Sequence, residues 1–320
     1  MNEITLEQIH LAESRIRPIA HRTPVLVSRT FDSRTGVKAF FKCENFQRGG
    51  AFKIRGAANF LYSIPAEDLP RGVVAYSSGN HAQAVAIAAV SVGIPATLVM
   101  PLDAPRSKVE ATRGYGAKIV TYDRLQESRE EIGKRIADET GATLVPPYDH
   151  PWIIAGQGTV ACELLEDVQD LDALVVCVGG GGLLAGCSIA VTGLRPHIRI
   201  FGVEPEDGND TFLSFRRGER VQIPAPKTIA DGLRVTQPGA ITFPIIQANV
   251  EDVVVVSDDE IRSAMAFCLC RMKILVEPSG AVGVAAVLFG KLPKALGRVG
   301  IVISGGNVDL EFLKELSRAE

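Results

Sequence analysis

Short apolar runs alternate with helical patterns through the middle of the chain. The runs 72–78 (GVVAYSS), 95–101 (PATLVMP), 117–123 (AKIVTYD) and 142–149 (ATLVPPYD) predict four strands. The segments between them predict helices: 81–93 (HAQAVAIAAVSVG), closed by Gly93, then SKVEATRGYG, then 128–141 (SREEIGKRIADETG). Strands that are apolar without alternation are those buried on both faces, and a βαβ rhythm delivers them into a parallel sheet with helices on its faces.

A second run repeats the rhythm. TVACELLEDV predicts a helix, 172–178 (DALVVCV) a buried strand, LLAGCSIAVTGL a helix and 199–204 (RIFGVE) a strand. The polar, proline-rich span of roughly 205–240 predicts loop. VEDVVVVSDDEI then predicts a strand followed by Ser257 as a helix N-cap, with a long helix around Ser263–Lys273. The helix GAVGVAAVLFG and the strand RVGIVISGGN follow. The expected architecture is α/β with two parallel-sheet lobes. The smaller spans 70–150, and the larger combines 1–69 with 151–320, with Pro146-Pro147 as a candidate hinge.

Composition narrows the function classes. At 320 residues and 46% hydrophobic the chain is long enough for two cores. A net charge of −3, mixed along the sequence, argues against nucleic acid or an anionic membrane as partner. No apolar run approaches the roughly 18 residues of a membrane span, and the amphipathic, acid-bearing N-terminus lacks a signal-peptide core. The six cysteines lie mostly in apolar contexts without metal-type spacing, which suggests reduced thiols in a cytoplasmic protein; Cys268 and Cys270, two apart on one helix, should point to different faces.

Three glycine-rich loops carry the candidate chemistry. In VVCVGGGGLLAG, Gly179, Gly180, Gly181 and Gly182 stand between a strand and a helix, where free N–H groups and the helix dipole suit an anion. The stretch also satisfies a dinucleotide fingerprint through Gly180, Gly182 and Ala185, with Glu204 at the end of the next strand, about 20 residues on, as the ribose acid. Alone it would suggest a nicotinamide oxidoreductase. The other two loops argue otherwise. SSGNHAQ (77–83) is a second strand-to-helix turn, suited to a carboxylate, and SGGN (304–307) ends the last strand. In NFQRGGAFKIRGAAN, Lys53 sits among small residues that would let a flat group approach the backbone. A cofactor phosphate on the tetrad, a substrate carboxylate at the Ser77 loop and Lys53 as Schiff-base amine would together form one crevice.

With these motifs in order, the chain resembles the serine/threonine dehydratase and serine racemase family, pyridoxal-phosphate enzymes of the tryptophan-synthase-β-like fold (fold type II). The resemblance runs from HRTPVL at His21 to SGGNVD at Asp309. Through KCENFQ, MPLDAP, PPYDHP, AGQGT and TIADG it is most similar to the branch of serine racemases and 3-hydroxyaspartate ammonia-lyases. The resemblance implies that Lys53 holds the cofactor and takes the α-proton, with Phe52 packed beside the ring. It implies that Asn80 bonds the 3′-oxygen, that Gly179–Gly182 with Leu183 cradle the phosphate, and that Ser304 faces the pyridine nitrogen. Ser77, Ser78, Asn80 and His81 would surround the substrate carboxylate, with Ser78 on the face opposite Lys53. Glu204, the Gly208 carbonyl and Asp210 match a divalent-cation site, and as hard oxygen ligands they suit Mg²⁺, Ca²⁺ or Mn²⁺. Ala51 departs from the pattern: many relatives carry serine directly before the Phe-Lys pair.

The expected reaction is β-elimination from serine, threonine or 3-hydroxyaspartate to a 2-oxo acid and ammonia, in a homodimer. A racemase using Lys53 and Ser78 as its two bases is the alternative. A β-carboxylate on the substrate would need a further cation or N–H donor, for which Arg106, His150 and the Tyr148 loop are candidates.

Overall fold

The computed structural model describes residues 4–77, 79–104, 106–123 and 125–316. Among them ten strands form two sheets: β1 Val25–Leu26, β2 Lys38–Cys43, β3 Val73–Tyr76, β4 Ala96–Pro101, β5 Lys118–Tyr122, β6 Thr143–Leu144, β7 Ala173–Cys177, β8 Arg199–Pro205, β9 Asp252–Val256 and β10 Arg298–Ile303. The larger sheet runs β1-β2-β10-β7-β8-β9 and the smaller β5-β4-β3-β6. Every pairing is parallel except β1 with β2. The α/β class with two largely parallel sheets is the one the hydrophobic pattern predicts.

Local signals set most boundaries. Gly93 and Gly141 both adopt the left-handed conformation that ends the helices Asn80–Val92 and Arg129–Thr140. Ser257 caps the helix Asp258–Phe267 in a capping box with Glu260. That helix therefore starts earlier than Ser263, and it gives way to a π-helical turn at Cys268–Met272. Cys268 is buried there and Cys270 exposed, as their spacing implies; all six cysteines are free.

One expectation is corrected, and β2 is added to the strands the sequence predicts. The span 205–240 is not all loop: the helix Asp210–Arg217 lies within it, closed by Gly218 at φ 76°. Its sequence, DTFLSFRR, is too short and too charged to stand out by periodicity. β2 is hard to read from the sequence because KAFFKC carries two lysines, yet Lys42 is fully buried. Its ammonium donates to Glu163 at 2.6 Å and to the Thr23 carbonyl at 2.8 Å. Glu163 also accepts from Arg55 at 2.7 and 2.8 Å, and Arg55 reaches Glu44 at 2.8 and 2.9 Å. Buried charges persist only when paired and hydrogen-bonded, so this cluster ties β2, the helix Lys53–Leu61 and the helix Pro151–Asp167 in one register.

β10, formed near the end of the chain, enters between β2 and β7. Ser304 at its carboxyl end thereby arrives beside the segment before Lys53: Phe52 N–H donates to the Ser304 carbonyl at 3.0 Å and Gly306 N–H to that of Gly50 at 2.9 Å. Ile54, Ala57, Ala58 and Leu61, from the helix that Lys53 begins, pack with Val85 and Leu98 in the core beside the smaller sheet. Lys53 thus sits where the two cores meet.

Candidate active site

A cavity of about 190 Å³ opens at the carboxyl ends of β3, β7 and β10. Its wall contains Phe52, Lys53, Ser77, Asn80, His81, Gly179–Gly182, Leu183 and Ser304, so the three glycine loops do converge. Open α/β sheets bind ligands at this end of their strands. Ser78 lies outside the described residues.

Lys53 is the first residue of its helix. Its Nζ donates to the Pro147 carbonyl at 2.8 Å and lies 5.1 Å from the centre of the Phe52 ring. Removal from water lowers its pKa to about 8, against the opposing pull of acids such as Glu277. A lysine near neutrality at ordinary pH is a nucleophile and a base.

The tetrad is built for close approach. Gly181 has φ 92°, outside the range of ordinary residues, and Gly182 begins the helix Gly182–Leu194, whose first-turn N–H groups have no partner within the helix. A Cβ on Gly180 would come within 2.3 Å of the Tyr148 ring. A Cβ on Gly181 would come within 2.7 Å of Thr242 Oγ1. Thr242 Oγ1 donates to the Gly180 carbonyl at 2.7 Å. The loop is thus held open and its shape fixed, as an anion cradle requires.

Ser304 is buried and hydrogen-bonded to Cys177, whose thiol burial pushes up to about 11. The Ser304 hydroxyl, itself uncharged, would offer a pyridine nitrogen a neutral hydrogen bond, while the Glu277 carboxylate on the same wall is engaged by Asn80. Ser77 Oγ accepts from Gly79 N–H at 3.2 Å and shapes its turn. His81 is buried, and desolvation, with Lys53 nearby, lowers its pKa to about 3. The neutral ring carries its proton on Nε2, which donates to the Val145 carbonyl at 3.1 Å. Its one N–H is therefore spent on the backbone.

The Glu204–Asp210 pair lies outside the cavity wall. Glu204 is fully buried and accepts from Thr211 and Phe212 N–H at 3.2 and 2.7 Å. Sealed there, it cannot reach a ribose in the crevice, and the dinucleotide reading fails. Both Asp210 oxygens are buried and have no hydrogen-bond partner among the described residues. Burial and the neighbouring Asp210 raise the Glu204 pKa well above the usual range, and burial raises that of Asp210 to about 7. Two carboxylates repelling one another in a dry site form a donor set that fits a divalent cation. Among the described residues no third acid, His or Cys joins them, so carbonyls such as that of Gly208 and water would complete the shell.

Side chains of the cavity wall that the sequence does not single out include Glu277, Arg129, Arg234 and Ser279. Glu277, an acid between the apolar run Ile274-Leu275-Val276 and the helix-opening Pro278, is the one detectable signal among them. Arg129 arrives from the helix Arg129–Thr140 of the smaller sheet, stacked 5.7 Å from the Tyr76 ring centre. Of the cation candidates, His150 is turned away against Phe60 and Trp152. Arg106 begins the helix Arg106–Gly114, and its side chain lies outside the described part.

Comparison with known proteins agrees with this geometry. The sequence profile of the family described as pyridoxal-phosphate dependent enzyme matches residues 16–305. The chain is 50% identical to a serine racemase of Schizosaccharomyces pombe over 307 residues, covering 96% of this chain and 95% of the relative. It is 53% identical over 300 residues to an L-threo-3-hydroxyaspartate ammonia-lyase of Saccharomyces cerevisiae, covering 94% and 92%. Among solved structures, maize serine racemase superposes with a TM-score of 0.95 at 45% identity, covering 99% of this chain and 98% of that one.

Proposed function

Because the chain belongs to the pyridoxal-phosphate dependent enzymes, we propose that it eliminates water from a 3-hydroxy amino acid bearing a second carboxylate, of the 3-hydroxyaspartate type, yielding a 2-oxo acid and ammonia. The observation that carries the substrate choice is Arg129, a cation on the wall of the same cavity as Lys53. Arg129 Nε donates to Glu130 at 2.8 Å, so the two terminal amino groups of its guanidinium are the donors a substrate carboxylate would take. The yeast ammonia-lyase relative supports the same reading.

The bound cofactor supplies an electron sink that makes the substrate α-proton acidic. The chain's residues do the rest. Lys53, with its depressed pKa, takes the α-proton as the free amine. The β-hydroxyl departs as water with the proton that the Lys53 ammonium then holds, and the released enamine is hydrolysed by one water to the 2-oxo acid and ammonia. Gly179–Gly182 and Leu183 hold the phosphate through backbone N–H groups. Ser304, uncharged and beside the Cys177 thiol, would meet the ring nitrogen of the bound cofactor without charging it, which suits loss of a β-leaving group. Glu204 and Asp210 take Mg²⁺ or a similar ion remote from the chemistry. The working state is a cytoplasmic homodimer.

Arg129→Met tests the substrate. Loss of a charged hydrogen bond costs about 1.5–3 kcal/mol, or about 10- to 150-fold. We expect that loss in kcat/KM for L-threo-3-hydroxyaspartate, mainly through KM, with L-serine little changed. Equal losses for both would mean that Arg129 reads the α-carboxylate they share, and the dicarboxylate reading would fall.

The racemase relatives favour a second activity in the same site, with Ser78 returning the proton on the face opposite Lys53. Ser78→Ala should then spare elimination from the L-substrate and abolish racemisation of serine; equal losses dominated by KM would leave Ser78 a binding residue.

A further inference from the structure

Asn80 does not stand alone in the cavity wall. Its Nδ2 donates to Glu277 Oε1 at 2.8 Å, and its Oδ1 accepts from Asn307 Nδ2 at 2.9 Å. The second Asn307 N–H goes to the Gly49 carbonyl at 2.7 Å. The chain of bonds has one consistent direction. Both Asn307 protons are spent, so the atom of Asn80 that faces it must be oxygen. A carboxylate only accepts, so the atom facing Glu277 must be nitrogen. Reversing the Asn80 amide would set oxygen against carboxylate and nitrogen against nitrogen at once. Glu277 itself caps the helix Pro278–Leu288, where the helix dipole favours an anion.

The glycines of two loops exist partly to admit these side chains. A Cβ on Gly305 would come within 2.4 Å of Glu277 Oε1, and one on Gly50 within 2.3 Å of Asn307 Oδ1. Glycine in RGGAFK and in SGGN thus makes room for side chains of the protein itself as well as for a flat ligand.

We propose that Glu277 and Asn307 are positioning residues that lock the Asn80 amide so that its second N–H faces the cavity as a fixed donor. Resting on the cofactor assignment above, that donor meets the ring oxygen of pyridoxal phosphate. Glu277 acts as an acceptor; its role is to hold Asn80, and it exchanges no proton with substrate. Locking matters because an amide free to rotate would offer oxygen as often as nitrogen to an oxygen ligand, and would repel it half the time.

The test is a double-mutant cycle on cofactor binding, read with purified protein freed of and titrated with pyridoxal phosphate, together with the pH midpoint of the visible band. Asn80→Ala, Glu277→Ala and Asn307→Ala should each weaken cofactor affinity by about tenfold and shift the band midpoint in the same direction. Glu277→Gln, whose carbonyl still accepts, should restore both. Glu277→Ala added to Asn80→Ala should cost little more than Asn80→Ala alone, because Glu277 acts through it. Additive losses, or a band midpoint that moves in Asn80→Ala but not in the Glu277 and Asn307 variants, would overturn the proposal. If Glu277→Ala does not fold, Asn307→Ala and Glu277→Gln carry the same comparison. Absence of any lysine-linked visible band in the wild-type protein would instead refute the cofactor assignment, so the two failures are distinct.

Discussion

At the residue scale, the environment of Lys53 makes the clearest predictions. The amine is reactive only when neutral, and burial brings its pKa to about 8. Below that value the protonated form dominates, so the rate at which the apoenzyme takes up pyridoxal phosphate should rise with pH. The rise should be about tenfold between pH 7 and 9, then flatten. An ordinary surface lysine would keep gaining reactivity, about a hundredfold over the same range and beyond. Stopped-flow absorbance distinguishes the two curves. Lys53→Ala should abolish both turnover and borohydride-stable labelling; unchanged labelling would place the cofactor on another lysine.

At the element scale, caps from distant parts of the chain hold the site's loops. Asp149, next to the Tyr148 that covers Gly180, accepts from the N–H groups of Ala240, Ile241 and Thr242 at 2.8, 2.9 and 3.1 Å. It thereby starts the helix Thr242–Asn249, whose Thr242 in turn braces the tetrad. Asp149→Ala should lower stability by about 1–2 kcal/mol, the usual cost of a lost N-cap. Asp149→Asn, still an acceptor, should recover most of it. Urea unfolding measures both; identical midpoints for wild type and Asp149→Ala would show that water replaces the cap. PPYDHP in the sequence marks a turn, and nothing local in it says that its acid caps a helix some ninety residues on.

At the scale of the whole molecule, the proposed cation site at Glu204 and Asp210, where neither Asp210 oxygen has a hydrogen-bond partner among the described residues, predicts a fold sensitive to cations. An ion that binds only the folded chain stabilises it by mass action, about 2.7 kcal/mol at a hundredfold excess over Kd. Chelation should therefore lower Tm, Mg²⁺ should restore it, and Asp210→Ala should abolish the response. A wild-type Tm indifferent to chelator and to added Mg²⁺ or Ca²⁺ would remove the cation site.

The sequence by itself determined the rhythm of the two sheets, the glycine turn between strand and helix, and the small-residue setting of Lys53, because each is written locally. Continuous apolar runs mean strands buried on both faces, GGGG between strand and helix needs no partner to be recognised, and Lys53 lies among small residues within a few positions. Tertiary structure alone decided what surrounds them. β2 reads as polar because the ion pairs that bury Lys42 come from positions 121 residues away in Glu163. Glu204 reads as a ribose acid until its burial against Thr211 and Phe212 removes it from the crevice. Arg129, Glu277 and Asn307 join Lys53 only because β10 inserts beside β2 and the smaller sheet brings its helix to the cavity mouth. Spacing along a chain encodes the faces of one element, whereas the partners of a buried charge or amide are set by which elements pack together.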